Sequence, residues 1–175
     1  MTLETTNYIL ALGTIAIQMV TVMLLIVYWG RNRSSALRDI SDVVVKWGVV
    51  AAFALSFIGS ALTLYYSEVL GIAPCALCWW QRIFLYPQVL LFAVALWKRD
   101  AGVACYSIAL SVAGAAFALY HHALQMLPGA GLPCPASGPS CAQRMLFEFG
   151  YITYPLMAVS LFALIIVIML MVRRK

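Results

Sequence analysis

The sequence predicts an all-α integral membrane protein with five spanning helices, on three observations. Of its 175 residues, 65% are hydrophobic and 10% charged, against about 45–50% and about 25% in a soluble domain. The apolar residues fall into five runs of roughly the 20-residue length that crosses a bilayer. The basic residues sit in the gaps between the runs rather than on one clustered face. The net charge of +5 therefore bears on orientation in the membrane, and no nucleic-acid partner is expected.

The first run, Tyr8 to Trp29, is uncharged. It is too long for a cleaved signal peptide, begins beside acidic Glu4 rather than a basic stretch, and shows no small-residue cleavage site, so it counts as a span. Gly30 to Lys46 reads as a polar linker with one amphipathic turn around Ala36 to Val45. The second run, Trp47 to Ser67, is uncharged; the third, Pro74 to Trp97, holds one charge, Arg82. The fourth, Gly102 to Leu127, is uncharged but contains His121 and His122. Pro128 to Gln143, with four prolines and three glycines, reads as a loop. The fifth run, Phe149 to Val172, is again uncharged.

Arg31, Arg33, Arg38, Lys46, Lys98, Arg99, Arg173, Arg174 and Lys175 fall on one side of this topology, nine of the eleven basic residues. Only Arg82 and Arg144 fall toward the other. Basic loops stay in the cytoplasm. The expected N-terminus is outside, the C-terminus inside, and Cys75, Cys78, Cys134 and Cys141 face outward.

Cys75 and Cys78 stand at the outer start of the third span, directly after Pro74, a residue suited to the first turn of a helix. Backbone N–H groups at a helix start carry partial positive charge and favour a thiolate, and Cys-x-x-Cys spacing suits a reactive dithiol. Cys134 and Cys141 lie in the Pro- and Gly-rich loop. An outer compartment permits disulfides, so this pair is either a loop staple or a second exchanging pair. Two dithiols on one membrane face suggest a relay, in which one pair meets a soluble partner and the other passes electrons onward. A zinc site made of both pairs is the competing reading, although six residues between Cys134 and Cys141 exceed the usual ligand spacing. Cys105, near the opposite end of the fourth span, reads as a buried thiol acting as a small hydrophobe.

Arg82 follows Cys78 by one helical turn on the same face. A cation inside a span costs about 2.5–3.5 kcal/mol at mid-helix. It either snorkels to headgroups or faces a ligand, holding an acceptor's carbonyl oxygen or steadying a Cys78 thiolate. Dithiol electrons come in pairs, and the lipid-dissolved two-electron acceptor is a quinone. Trp79 and Trp80 are placed to flank its ring. His121 and His122 point about 100° apart on a helix, so at most one faces a given site. His122 is expected there, donating to the acceptor's second oxygen or supplying a proton, the alternative being a histidine hydrogen-bonded to a neighbouring helix or interface water. Glu68, Gln81 and Gln125 lie at similar depth.

The stretch "CALCWWQRIFLYP" (Cys75 to Pro87), with "YHHALQ" (Tyr120 to Gln125) and "FGYITYPLM" (Phe149 to Met157), resembles the DsbB family of membrane disulfide-forming oxidases, more closely its BdbC-like branch. The resemblance implies a four-transmembrane-helix bundle over residues 47–175 with two outward redox loops. The extra N-terminal transmembrane helix and its basic cytoplasmic linker, residues 1–46, lie outside that core. It implies ubiquinone or menaquinone at Cys78 beside Arg82, with His122 matching the quinone-proximal histidine. It implies catalytic roles for Cys75, Cys78, Cys134 and Cys141, the last two exchanging with a DsbA/BdbD-like thioredoxin-fold thiol oxidase at a bacterial cytoplasmic membrane. No metal is expected. The competing functions are a vitamin K reductase-like enzyme and a zinc-binding or transporter-like membrane protein. A transporter places polar groups at the midplane, whereas here they gather at the outer edge.

Overall fold

The computed structural model describes residues 3–127, 133 and 139–173. It contains five long helices: α1 (Leu3–Gly30), α2 (Ser35–Leu64), α3 (Ala76–Lys98), α4 (Val103–Met126) and α5 (Tyr154–Arg173). Each is long and apolar enough to cross a membrane. A π-helical turn, Tyr65–Val69, continues α2. Among the described residues there is no strand, only an isolated bridge between Glu148 and Ile152.

Helices α2, α3, α4 and α5 close a ring in that order, each touching the next and α5 returning to α2. Helix α1 lies outside the ring, chiefly against α5 and less against α2. Helix α5 is therefore the most enclosed, with 56% of its apolar window buried against protein, whereas α2 buries 17%. The remaining apolar surface is what lipid would solvate.

Apolar side chains gain little by leaving lipid for a helix neighbour, so association rests on close packing and interhelical hydrogen bonds. Both occur here. A Cβ added at Gly114 of α4 would come 2.5 Å from the Phe162 ring of α5, and one at Gly48 of α2 would come 2.6 Å from Val172. Gln88 on α3 is fully buried. It accepts from Ser107 Oγ at 2.7 Å and donates to Ser111 Oγ at 3.1 Å, tying α3 to α4.

Helix α1 shows the same logic. Its most enclosed residues include Asn7, Ala11, Thr14 and Thr21, spaced by three, four and seven so that they form one stripe. Asn7 Oδ1 accepts from Tyr66 Oη and from Tyr154 Oη, both at 2.9 Å. Gln18 Nε2 donates to Ser160 Oγ at 3.0 Å. The first span is thus bonded specifically to the bundle.

Three local expectations change. Residues 35–46 are not a linker: α2 begins at Ser35. Leu37, Val44 and Val45 pack onto the core, and Ser41 is buried, so this charged stretch is an amphipathic extension of the span. Helix α5 starts at Tyr154 rather than Phe149. Phe149 and Gly150 have φ of 53° and 77°, and the bonds exchanged by Glu148 and Ile152 close a tight turn that no helix can enter. Cys105 is exposed rather than buried, on the side of α4 away from the bundle.

Candidate functional site

Cys75 is the N-cap of α3, with φ −73° and ψ 170°, and its sulfur accepts from the Cys78 N–H at 3.4 Å. Pro74 before it and the helix after it hold the Cys-x-x-Cys pair across the first turn. The two Sγ atoms are 3.0 Å apart, and closing to a disulfide takes about 1 Å of movement.

His121 is the hub of the site. It is 2% exposed. Its Nε2 lies 3.7 Å from Cys75 Sγ and 3.0 Å from the carbonyl oxygen of Cys141, while Nδ1 lies 2.9 Å from Gln81 Nε2. One imidazole thus touches the α3 dithiol and the loop that carries the second cysteine pair. Gln125, one turn further along α4, donates to the carbonyls of Cys141 and Gln143 at 3.4 and 3.1 Å. Arg144 Nε returns a bond to the Gln125 carbonyl at 2.6 Å. Cys141 is 1% exposed and packs in one cluster with Cys75. Cys134 lies outside the described residues.

Arg82 is 7% exposed. Its Nη2 donates to the Thr63 carbonyl at 2.7 Å, next to the π-helical turn, and its guanidinium lies 5.2 Å from the Trp79 ring centroid. Cys78, Gln81, Arg82 and His121 all line one cavity of about 420 Å³. Cys75, Cys141 and the loop around Cys141 line it too, and its remaining walls come from α2, α5 and α1.

The sequence-predicted residues therefore separate. Cys75, Cys78, Arg82 and Cys141 come together. His122 does not join them: its Nδ1 lies 2.9 Å from Thr153 Oγ1, and it is absent from the cavity wall, which His121 supplies. Trp79 and Trp80 do not line the cavity either. Trp80 stacks on Phe117 with centroids 5.0 Å apart, on the outer side of α3. Gln81 and Gln125 belong to the site; Glu68 is exposed and bonded to Ser67. The sequence held a signal for His121: Ser107, Ser111, Gly114 and Ala118 form a small-residue stripe on α4 that leads to His121 and Gln125.

Two kinds of guest suit these residues. Cys75 Sγ, Cys78 Sγ and a His121 nitrogen lie within 4.8 Å of one another, a soft donor set of the type zinc takes. The cavity suits a flat apolar ring with polar edges. It is of drug-like size, carries one buried cation, and among the described residues Gln125 Oε1 is a buried oxygen on its wall with no hydrogen-bond partner.

Residues 45–172 match the family model described as disulfide bond formation protein DsbB. The chain is 40% identical over 121 residues to the SPbeta prophage-derived disulfide bond formation protein B of Bacillus subtilis (strain 168), covering 69% of this chain and 82% of that relative. It is 35% identical over 124 residues to disulfide bond formation protein C of the same strain, covering 70% and 90%. It is 34% identical over 134 residues to a probable disulfide formation protein of Metapseudomonas resinovorans, covering 75% and 93%. No solved structure matches the chain.

Proposed function

The chain belongs to the DsbB family of disulfide bond formation proteins, a multi-pass membrane oxidoreductase, and from that premise we propose that it is a thiol:quinone oxidoreductase. It reoxidises a thioredoxin-fold thiol carrier of the DsbA/BdbD type and passes the electron pair to ubiquinone or menaquinone. The observation that supports this reading is one cavity that brings the Cys75/Cys78 pair, Cys141 of the second pair and the buried cation Arg82 together, so that loop exchange and an acceptor meet at the same dithiol.

The exchange steps balance as follows. A carrier thiolate attacks the Cys134–Cys141 disulfide at Cys134 and releases Cys141 as a thiolate. Cys141, 1% exposed, is shielded from the carrier and attacks its neighbour Cys75, releasing Cys78. The carrier's second thiol leaves with Cys134's bond as the carrier disulfide, and Cys134 then displaces Cys75 from Cys141. The net result is an oxidised carrier and a reduced Cys75/Cys78 pair. A quinone bound in the cavity supplies the sink for the two electrons and two protons of that pair. Arg82 presents a fixed positive charge there and favours negative charge on Cys78. His121 holds the loop beside Cys75 through the Cys141 carbonyl.

The proposed orientation places both cysteine pairs outside the cytoplasmic membrane, as the basic loops require. The expected result for purified protein is carrier oxidation coupled one to one with quinone loss at its ultraviolet band. The zinc reading rests on the same three donors. Stoichiometric zinc in metal-replete preparations with no quinone reduction would establish it instead. A reporter fused after Gly131 is expected to be active outside and one after Lys98 inside. A cytoplasmic Gly131 reporter would end the oxidase reading, because thiols there are kept reduced.

A further inference from the structure

Helix α1 lies wholly outside the family match, which begins at residue 45, yet Leu10, Gly13, Thr14 and Ile17 form one wall of the cavity that Cys78 and Arg82 face. We propose that α1 is part of the acceptor site, a specificity wall that bounds the space beside the dithiol from the membrane side. This inference rests on the quinone reading above.

Three observations carry it. First, α1 is held at a fixed register by polar bonds at the depth of the site. Asn7 receives the hydroxyls of Tyr66 and Tyr154, and Tyr66 and Tyr154 are themselves on the cavity wall. Second, the wall is shaped rather than merely apolar. A Cβ built on Gly13 meets no atom within 4 Å, although Gly13 is a wall residue between buried Ala11 and Thr14. Gly13 is exposed at the cavity wall, so a larger residue there has room and would add bulk at that wall. Third, Gly13 does not serve close helix packing, unlike Gly48 and Gly114, where an added Cβ would meet a neighbouring side chain. A ring or the first isoprene unit of a quinone is the occupant whose shape and polarity match a wall of this kind.

The test uses the full chain in detergent, with ubiquinone-2 and menaquinone-2 as probes. The readout is the rise in Tm with quinone concentration, fitted to a Kd, together with quinone co-purifying with the protein. Gly13→Leu is expected to weaken Kd at least tenfold and remove co-purified quinone. Gly13→Ala should weaken it by two- to threefold. Leu12→Phe, on the exposed side of α1, is expected to leave Kd unchanged. If both probes stabilise the wild type and Gly13→Leu binds equally well, α1 is not a wall of the site and the inference falls while the quinone reading stands. If neither probe binds or is reduced by the wild type, the quinone reading falls and takes the inference with it. A Gly13→Leu protein that fails to fold would contradict the open space beside Gly13 and overturn the inference as well.

Discussion

A protein carrying both Cys75→Ser and Cys78→Ser is expected to oxidise a single equivalent of carrier and then stop. On the proposed mechanism a Cys134–Cys141 disulfide still accepts one electron pair, but nothing drains it. Turnover should fall below detection, the largest effect expected of any substitution here. The same variant fixes the order of exchange. A carrier lacking its second cysteine should form a mixed disulfide on Cys134 that only the reverse attack by Cys141 can resolve, so alkylating the released Cys141 thiol should trap the carrier there. Mass spectrometry of the adduct reads the position. An adduct on Cys141 would reverse the order proposed above. Loss of the single-equivalent burst would make the second loop a structural staple. Continued turnover would make the Cys75/Cys78 pair a bystander. The burial of Cys141 at 1% exposure is the physical reason to expect Cys134.

The second large effect belongs to Arg82. Arg82 is 7% exposed, lines the cavity and is bonded to the Thr63 carbonyl, so it is held inside the bundle rather than turned out to headgroups. A hydrogen bond to a charged group contributes about 1.5–3 kcal/mol. Arg82→Gln is therefore expected to raise the apparent KM for quinone by about ten- to a hundredfold. Carrier oxidation in the absence of quinone should keep its stoichiometry, since that step uses only the cysteines. Arg82→Lys keeps the charge but not the planar fork, and should fall between. Steady-state rates against quinone concentration separate these cases. An unchanged KM and kcat in Arg82→Gln would reduce Arg82 to a packing residue between Trp79 and the end of α2.

Much of the fold was legible because length and hydropathy alone define spans. What was not legible followed from reading hydropathy as an average. Arg38, Asp39, Asp42 and Lys46 lower the mean over residues 35–46, yet Leu37, Val44 and Val45 hold one face to the core, and period rather than mean hydropathy decides a helix there. The start of α5 was hidden for the opposite reason: Phe149 and Tyr151 are apolar enough to extend the span, but the turn at Phe149–Gly150 is set by backbone conformation. At the site, spacing alone gave the Cys78 and Arg82 pairing, because residues four apart share a helix face. The choice between His121 and His122 turns on which side of α4 meets the bundle, and the small-residue stripe ending at His121 carried that information. Arg144 and Gln125 could not be paired from sequence, because their bond joins a helix end to a loop whose path no periodicity describes.

The polar stripe of α1 has a consequence for assembly in time. Gln18 bonds to Ser160, 142 residues later in the chain, and Asn7 to Tyr154, 147 residues later. At about 5–20 residues per second, a ribosome needs roughly 7–30 s to reach those partners. For that interval α1 is already made and its amide side chains lack the groups they will meet in the finished bundle. In hydrocarbon an unpaired amide is costly, so the nascent helix must be held by water, by the insertion machinery or by Tyr66 alone. Helix α1 is thus made before the partners on α5 that fix it. The contact of α1 with α5 and the α1 part of the cavity wall therefore form only after α5 is made.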